Sequence, residues 1–275
     1  MIEHCNLNCV QTDGFMVASR DLVRFSDTQL SKRPSSLLAI EKLRDLARLD
    51  VGREVRKGLP EVILAEGKDA QEVAEIVEAM VKRTGRAIVS RANTNHLRKI
   101  RARRISNVRV QFFPKAGMIV IKRGSYEFRS NGGRVGLLTA GTSDIPIAEE
   151  AKIIADEMGC ETRGFYDVGV AGLHRLFKPL TKLLRWDADV ILVIAGREGA
   201  LPTVVAGLVD VPVIAVPTSR SYGFGDRGIA ALAAMLQSCS LGLAVVNIDS
   251  GVGAGSIGAL IANRAAKGRR ARTGA

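Results

Sequence analysis

The chain has 275 residues, of which 47% are hydrophobic, so it can form one large domain or two smaller ones with buried cores. Its longest apolar runs, such as Val190–Ala195, have the length of a strand and not the roughly 20 residues of a membrane helix. The first residues show no basic segment followed by an apolar stretch, and four scattered cysteines do not make a disulfide framework. We therefore expect a cytoplasmic protein with reduced thiols and no membrane contact.

The formal net charge of +12 is unevenly distributed along the chain. Between Lys82 and Arg123 there are 13 lysines or arginines and no acidic residue. This stretch fits a surface for a polyanion or a phosphorylated ligand, and it equally fits a solvated basic face. Aromatic residues do not alternate with the charges as they do in binders of single-stranded nucleic acid, which favours the solvated face. A nucleic-acid partner is not expected, although a nucleic-acid-binding or scaffold protein stays as an alternative.

The first half of the chain predicts a small, basic α/β domain over residues 35–124. Residues 1–34 are polar and lack periodicity, and we expect them to be poorly ordered. From Ser35 to Ala47 the apolar residues fall near helical spacing and predict a helix. The elements predicted next are a strand at Pro60–Ala65, a helix from the N-cap Asp69 to Thr84, a strand at Arg86–Ser90, a short helix at Asn95–Arg103, and strands at Val108–Phe113 and Met118–Lys122. Residues 125–133 read as a linker.

The second half, residues 134–263, repeats a pattern of strand, glycine loop and helix. The predicted strands are Val135–Ala140, Thr162–Asp167, Val190–Ala195, Val211–Val216 and Leu243–Val246. Their near-continuous apolar runs are typical of strands covered on both faces, and the βα alternation predicts a Rossmann-like parallel sheet with right-handed crossovers. Ligands of such sheets bind outside the carboxyl ends of the strands, where the glycine loops cluster. Residues 264–275 are expected to form a basic tail.

The loop after the first of these strands contains Gly141, Thr142, Ser143 and Asp144. Gly141 allows close approach of the backbone, and free N–H groups there can bind a phosphate. Ser143 or Asp144 can equally cap the helix that follows, and Pro146 in its first turn supports that cap. Both interpretations stay open.

The loops after the second and third strands carry ionisable candidates. Arg175 could bind a phosphate or carboxylate with both guanidinium nitrogens, whereas a lone His174, and Asp167 before it, carry less weight. Glu198 lies between Gly196 and Gly199, where a substrate is expected. It is a candidate general base or metal ligand, and a solvated loop carboxylate is the alternative. The small neighbours favour a function.

The remaining candidates lie near the fourth and fifth strands. The loop from Thr218 to Gly228 contains Ser219, and Asp249–Gly255 places three glycines before a helix. The glycines resemble a phosphate cradle, although their spacing is not that of the Walker A loop. Cys239 lies at the amino end of the fifth strand, away from the expected site. A small buried residue is the commoner role for such a cysteine.

Four segments of the second half resemble the LarB family, in one order along the chain: Thr139–Ala148, Tyr166–Arg175, Ala195–Pro202 and Val245–Asp249. These proteins are pyridinium carboxylase/hydrolases of nickel-pincer nucleotide cofactor biosynthesis. The resemblance covers about residues 50–263, including Asp50–Arg53 and Pro60–Lys68. The second half is also distantly similar to PurE, the aminoimidazole ribonucleotide carboxylases and mutases of purine synthesis. Those enzymes carry a histidine where this chain has Ala200, which argues against carboxylation of an imidazole.

The resemblance implies a PurE-like catalytic domain and a defined reaction. Nicotinic acid adenine dinucleotide would be carboxylated at C5 with CO2 or bicarbonate, and its phosphoanhydride hydrolysed, giving pyridinium-3,5-biscarboxylic acid mononucleotide and AMP. It further implies magnesium, no organic cofactor, and a homo-octamer with sites shared between subunits. The family's cysteine matches Cys239 and its loop glutamate matches Glu198, and Asp249, which ends the last motif, is taken as catalytic with them. The resemblance thus reverses the structural interpretation of Cys239.

Overall fold

The computed structural model describes residues 40–43, 46–126 and 130–273. The segment 1–34, with Cys5 and Cys9, lies outside the described residues. The elements of the first half are β1 (Ile40–Leu43), β2 (Ala47–Asp50), α1 (Arg53–Lys57), β3 (Val62–Leu64), α2 (Ala70–Thr84), β4 (Arg86–Ser90), α3 (Thr94–Ala102), β5 (Val108–Phe113) and β6 (Met118–Arg123). Apart from β1 and β2, the strands and the two longer helices agree with the sequence prediction within two residues.

The helix predicted from Ser35 to Ala47 is wrong over its described part, which forms a hairpin. Strand β1 pairs antiparallel with β2, with Ile40 opposite Asp50 and Leu43 opposite Ala47. The reason is tertiary: β2 inserts Leu49 into the core of the first half, while Ile40 stays exposed. Burial of Leu49, with Leu43, Leu46 and Ala47 packed against the same core, therefore outweighs the helical spacing.

The sheet of the first half has the order β3-β4-β6-β5, and its central strands β4 and β6 are mostly buried on both faces. Strands β3 and β4 run parallel and the other pairs run antiparallel. One face packs against α2, which begins at the Asp69 cap and ends at Gly85 with φ of 77°. The opposite face places Ile88, Met118 and Val120 in the core of the second half. The two halves thus share one apolar core.

The second half is a five-stranded parallel sheet in the order β11-β10-β9-β7-β8, with helices on both faces, which confirms the Rossmann-like α/β prediction. Its elements are β7 (Arg134–Thr139), α4 (Ile145–Glu157), β8 (Glu161–Phe165), α5 (His174–Arg185), β9 (Val190–Ala195), α6 (Ala200–Ala206), β10 (Val213–Pro217), α7 (Ile229–Leu236), β11 (Leu243–Val245) and α8 (Gly251–Thr273). Because β7 lies between β8 and β9, the strand order reverses there, and ligands of such sheets bind at this switch point.

Helix α8 contains both the glycine run after β11 and the basic residues 264–273. It continues through Asn263 to Thr273, so the segment predicted as a basic tail is helical over residues 264–273, and Arg269 pairs with Asp189 below β9. The glycines expected to cradle a phosphate lie inside this helix. A methyl group on Gly255 would come 2.4 Å from the carbonyl oxygen of Ala151, so this glycine serves close packing of α8 on α4.

Buried charges also join the halves. Arg86 of β4 is almost fully buried and pairs with Glu157 of α4 at 3.0 Å and with Glu54 of α1 at 2.9 Å. Lys122 of β6 binds the same Glu157 at 2.6 Å. Within residues 40–43, 46–126 and 130–273, none of the helices combines the length and apolarity required to span a membrane.

Candidate active site

A cavity of about 290 Å³ lies at the carboxyl ends of β7, β8 and β9, at the switch point of the sheet. We call it the switch-point cavity. The loops that follow these strands supply most of its wall, and a residue of the loop after β10 completes it. Its polar and glycine lining includes Gly141, Ser143, Arg175, Gly196, Glu198 and Arg220.

Asp144 holds two of these loops together. Its Oδ2 accepts the backbone N–H of Gly141 at 2.9 Å, and its Oδ1 accepts the hydroxyl of Thr218 at 2.7 Å. Burial raises the pKa of this carboxyl above its ordinary value, against the opposing effect of these hydrogen bonds. Asp144 is therefore tied to protein groups, and it acts on the cavity mainly by fixing the loop after β7 to the end of β10.

Two glycines determine the shape of the loop after β9. A methyl group on Gly196 would lie 2.8 Å from Oγ1 of Thr218. Gly199 has φ of 63°, and a methyl group there would meet the carbonyl oxygen of Ala231 at 2.7 Å. The tight loop between them turns Arg197 and Glu198 outward, and both side chains are exposed.

Three guanidinium groups give the cavity a strongly basic wall. Arg175, Arg197 and Arg220 line it together with the carboxylate of Glu198. Arg175 is oriented by Asp167, whose Oδ2 accepts Nη1 at 2.9 Å, and the N–H of Asp167 donates in turn to Oγ1 of Thr139. Guanidinium groups bind phosphates and carboxylates through paired hydrogen bonds, so this wall suits a ligand with several negative charges.

The structure brings only part of the predicted site together. Gly141, Ser143, Asp144, Arg175, Gly196 and Glu198 line the cavity. Of the remaining candidates, Asp167 and Gly199 support the cavity loops from outside it, Thr142 begins a 3-10 turn, and His174 is exposed at the start of α5. Sequence reasoning did not select Arg197 and Arg220, although an arginine directly after a strand of a parallel sheet is a usable signal.

Asp249, to which Ser219 is hydrogen-bonded, lines a second cavity, which lies between the halves and measures about 390 Å³. We call it the interdomain cleft. Asp249 accepts the N–H of Ser219 at 2.9 Å, and its own carbonyl oxygen accepts Nη2 of Arg91 at 2.8 Å. Buried Glu150 lines the same cleft and accepts N–H groups of the first residues of α8. The expected catalytic Asp249 therefore lies outside the switch-point cavity, and it contacts the end of β10 through the carbonyl oxygen of Pro217 and the following loop through Ser219, the neighbour of Arg220.

The two described cysteines have opposite environments. Cys160 is buried, and burial raises the pKa of its thiol to about 12. Cys239 is exposed, which contradicts the alternative of a small buried residue. Its neighbours Ser238 and Ser240 both bond to Thr203 of α6, which leaves Cys239 on the outer surface of this chain and outside the switch-point cavity.

The described side chains do not form a preformed binding site for magnesium. Among the described residues there is no group of three or more histidine, cysteine, aspartate or glutamate side chains placed to hold a metal ion. In the switch-point cavity Glu198 is an exposed carboxylate, whereas Asp144 is already hydrogen-bonded on both oxygens. The expected magnesium stays a prediction.

Comparison with known proteins gives matches over both halves. Residues 40–123 match the model of the LarB/PurE-like N-terminal domain, and residues 134–272 match that of AIR carboxylase. An uncharacterized protein of Methanocaldococcus jannaschii is 45% identical over 81% of this chain and 86% of its own length. The N5-carboxyaminoimidazole ribonucleotide mutase of the same organism is 35% identical over 42% of this chain and 69% of its own. The mutase of Thermotoga maritima is 30% identical over 32% of this chain and 52% of its own.

Proposed function

The chain belongs to the LarB family, carboxylase-type proteins whose catalytic domain is distantly related to PurE, and from this premise we propose that it carboxylates nicotinic acid adenine dinucleotide. In the same proposal it also hydrolyses the phosphoanhydride of that dinucleotide. The products are pyridinium-3,5-biscarboxylic acid mononucleotide and AMP, and the carbon comes from CO2 or bicarbonate.

The observation that carries this proposal is the combination of three arginines and Glu198 around one small cavity. The dinucleotide bears one carboxylate on its pyridinium ring and two linked phosphates, which are ligands that guanidinium groups bind well. Glu198 is an exposed carboxylate among these cations, and it is suited to accept a proton from a ring held by them.

A pyridinium carbon is electron-poor and does not attack CO2, so the ring must first be activated. In the proposed mechanism the thiolate of Cys239 adds to C4, and the ring nitrogen receives the displaced electron pair. C5 is then an enamine carbon, and it forms a bond to CO2. Glu198 removes the proton from C5, and expulsion of the thiolate from C4 restores the aromatic ring. Covalent catalysis of this kind divides one difficult step into easier ones.

The exposed position of Cys239 gives this mechanism a geometric requirement. Within one chain Cys239 does not line the switch-point cavity. We therefore propose that the complete site forms between subunits of a homo-octamer, in which the cysteine of one copy meets the cavity of another. Exposure of the thiol supports this arrangement, since a nucleophile delivered to a neighbouring subunit must lie on the surface of its own.

A mutase acting on N5-carboxyaminoimidazole ribonucleotide is the alternative, because relatives of that name are 35% and 30% identical over parts of this chain. The imidazole of such a site is missing from the described residues around the cavity, where Ala200 takes the corresponding loop position. His174 is exposed outside the cavity and His96 is buried in the first half. The pyridinium dinucleotide is therefore the better supported substrate.

The deciding experiment incubates the purified protein with nicotinic acid adenine dinucleotide, isotopically labelled bicarbonate and magnesium, and follows the products by mass spectrometry. We expect a mononucleotide that carries one labelled carboxyl group, together with an equal amount of AMP. N5-carboxyaminoimidazole ribonucleotide serves as the parallel substrate. Absence of both labelled product and AMP, or turnover of the imidazole substrate alone, would exclude the proposed reaction.

A further inference from the structure

We propose that Arg197 and Tyr222 form a stacking platform at the rim of the switch-point cavity, and that this platform binds the adenine ring of the dinucleotide. The inference rests on the proposed function, because it assigns a place to the half of the substrate that takes no part in ring carboxylation. It depends on the size of the cavity, on the contact between the two side chains, and on the distribution of charge.

The cavity is too small for the whole substrate. Its volume of about 290 Å³ lies just below the range of roughly 300–1,000 Å³ that small-molecule sites occupy. A dinucleotide consists of two complete nucleotides, so one of them has to extend across the rim. The rim must then offer that nucleotide a surface, or its base would remain in solvent.

The distribution of charge indicates which nucleotide of the substrate enters the switch-point cavity. The nicotinate ring carries a positive nitrogen and a carboxylate, and its reacting carbon must come close to Glu198. Its carboxylate and the adjoining phosphates match the guanidinium groups of Arg175 and Arg220 inside the cavity. Adenine is neutral and has no group that requires an arginine in paired geometry. It is consequently the half that is left at the rim, where stacking and not ion pairing provides the binding energy.

The rim carries a suitable surface. The guanidinium carbon of Arg197 lies 4.1 Å from the centre of the Tyr222 ring, a close cation–π stack between the loops after β9 and β10. Tyr222 is nevertheless 76% exposed, so its ring does not serve the hydrophobic core. One face of the ring is covered by the guanidinium group, and the other face is open to a ligand. Purine bases stack on tyrosine rings and on guanidinium planes alike.

The backbone holds both partners in place. Arg197 has φ of 51°, in the left-handed region that residues other than glycine seldom adopt, so its loop is constrained by its surroundings. On the other side, the hydroxyl of Ser221 donates to the carbonyl oxygen of Gly225 at 2.8 Å and closes the turn that presents Tyr222. A platform fixed in this way loses little freedom when a base binds to it.

Calorimetric titration of wild type, Tyr222→Ala and Tyr222→Phe with AMP and with nicotinic acid mononucleotide tests the platform. We expect Tyr222→Ala to weaken AMP binding about 5- to 150-fold, the range that corresponds to losing one base–aromatic stack. Tyr222→Phe should bind AMP like wild type, because the ring and not the hydroxyl makes the contact. Nicotinic acid mononucleotide should bind all three proteins equally.

Phe224→Ala is the matched control, since it removes a second exposed aromatic ring from the same loop. Unchanged AMP affinity in Tyr222→Ala, or an equal loss for AMP and nicotinic acid mononucleotide, would overturn the platform. Titration needs no turnover, so it separates the two proposals. If AMP binds through Tyr222 and no carboxylation occurs, the platform stands and the reaction fails. If carboxylation occurs and the affinity for AMP is unchanged in Tyr222→Ala, the reaction stands and the platform fails.

Discussion

At the residue scale, the two described cysteines differ in the property that decides thiol chemistry. Only the thiolate is a nucleophile, and burial of Cys160 raises the pKa of its thiol to about 12, which keeps it protonated at neutral pH. Cys239 is exposed, and serines that bond to Thr203 flank it on both sides. The environment of Cys239 allows reaction with a ligand or with a neighbouring subunit, whereas that of Cys160 does not.

Cys239→Ser should therefore leave the fold and assembly intact and lower carboxylation by roughly a thousandfold or more, because a hydroxyl without a dedicated base adds poorly to a ring. Cys160→Ser is the matched control and should retain turnover. Product formation by mass spectrometry gives the rates, and light scattering checks the assembly. Wild type mixed with the dinucleotide should also show the absorbance of a dihydropyridine adduct, which Cys239→Ser lacks. Normal carboxylation by Cys239→Ser would contradict the mechanism.

At the scale of the elements, helix α8 shows why glycines near a candidate site need not bind ligands. Gly251 and Gly255 face α4, and a methyl group on either would come within 2.5 Å of an atom of Glu150 or Ala151. The N–H groups at the start of α8 are accepted by the buried carboxylate of Glu150, so they are not free for a phosphate. These glycines allow α8 and α4 to pack closely, and Gly251 lies beside Glu150, whose carboxyl group caps α8.

Gly255→Ala should destabilise the protein by about 1–3 kcal/mol, because the new methyl group forces α8 away from the backbone of α4. Gly268→Ala in the same helix provides the comparison. No atom lies within 4 Å of a methyl group at that position, and alanine is the better helix former by about 1 kcal/mol, so this variant should be slightly stabilised. Denaturant unfolding monitored by circular dichroism measures both. Equal stability of the two variants would mean that helix contact does not explain Gly255.

At the scale of the whole molecule, Glu150 joins the two halves electrostatically. It extends from α4 into the interdomain cleft, where Arg91 approaches it from the end of β4 at 4.0 Å and Asp249 from the end of β11. Burial raises the pKa of Glu150 to about 7 from its ordinary 4.5, although Arg91 and the N–H groups of α8 act in the opposite direction. The folded protein thus holds a proton that the unfolded chain releases at lower pH.

This difference gives a signed dependence on pH. Below pH 4.5 the carboxyl is protonated in both states, and between pH 4.5 and about 7 only the folded state keeps the proton. The contribution of Glu150 to the free energy of unfolding should therefore fall as the pH rises through this window, by about 3 kcal/mol in all. Glu150→Gln should become more stable relative to wild type from pH 4.5 to pH 7, measured by denaturant unfolding at each pH. Glu161→Gln, at an exposed position, provides the comparison, and a Glu150→Gln stability that does not change relative to wild type over this pH range would refute the assignment.

The sequence by itself determined most of the elements and the region of the site. Apolar runs of strand length separated by glycine loops specify the parallel sheet, because burial on both faces requires such runs, and α2 begins and ends at its own cap residues Asp69 and Gly85. The loops that follow the strands then had to contain the cavity.

Only the tertiary structure decided which loop residues meet. Strands β1 and β2 pair with each other, and Leu49 of β2 is buried in the core. Helix α8 continues beyond Asn263, where Arg269 forms an ion pair with Asp189. In the folded chain Arg197 and Arg220 line the switch-point cavity, Cys239 is exposed, and Asp249 lines the interdomain cleft. Strand order and the packing of one half on the other fix these contacts. Neither can be read from the spacing of residues along the chain.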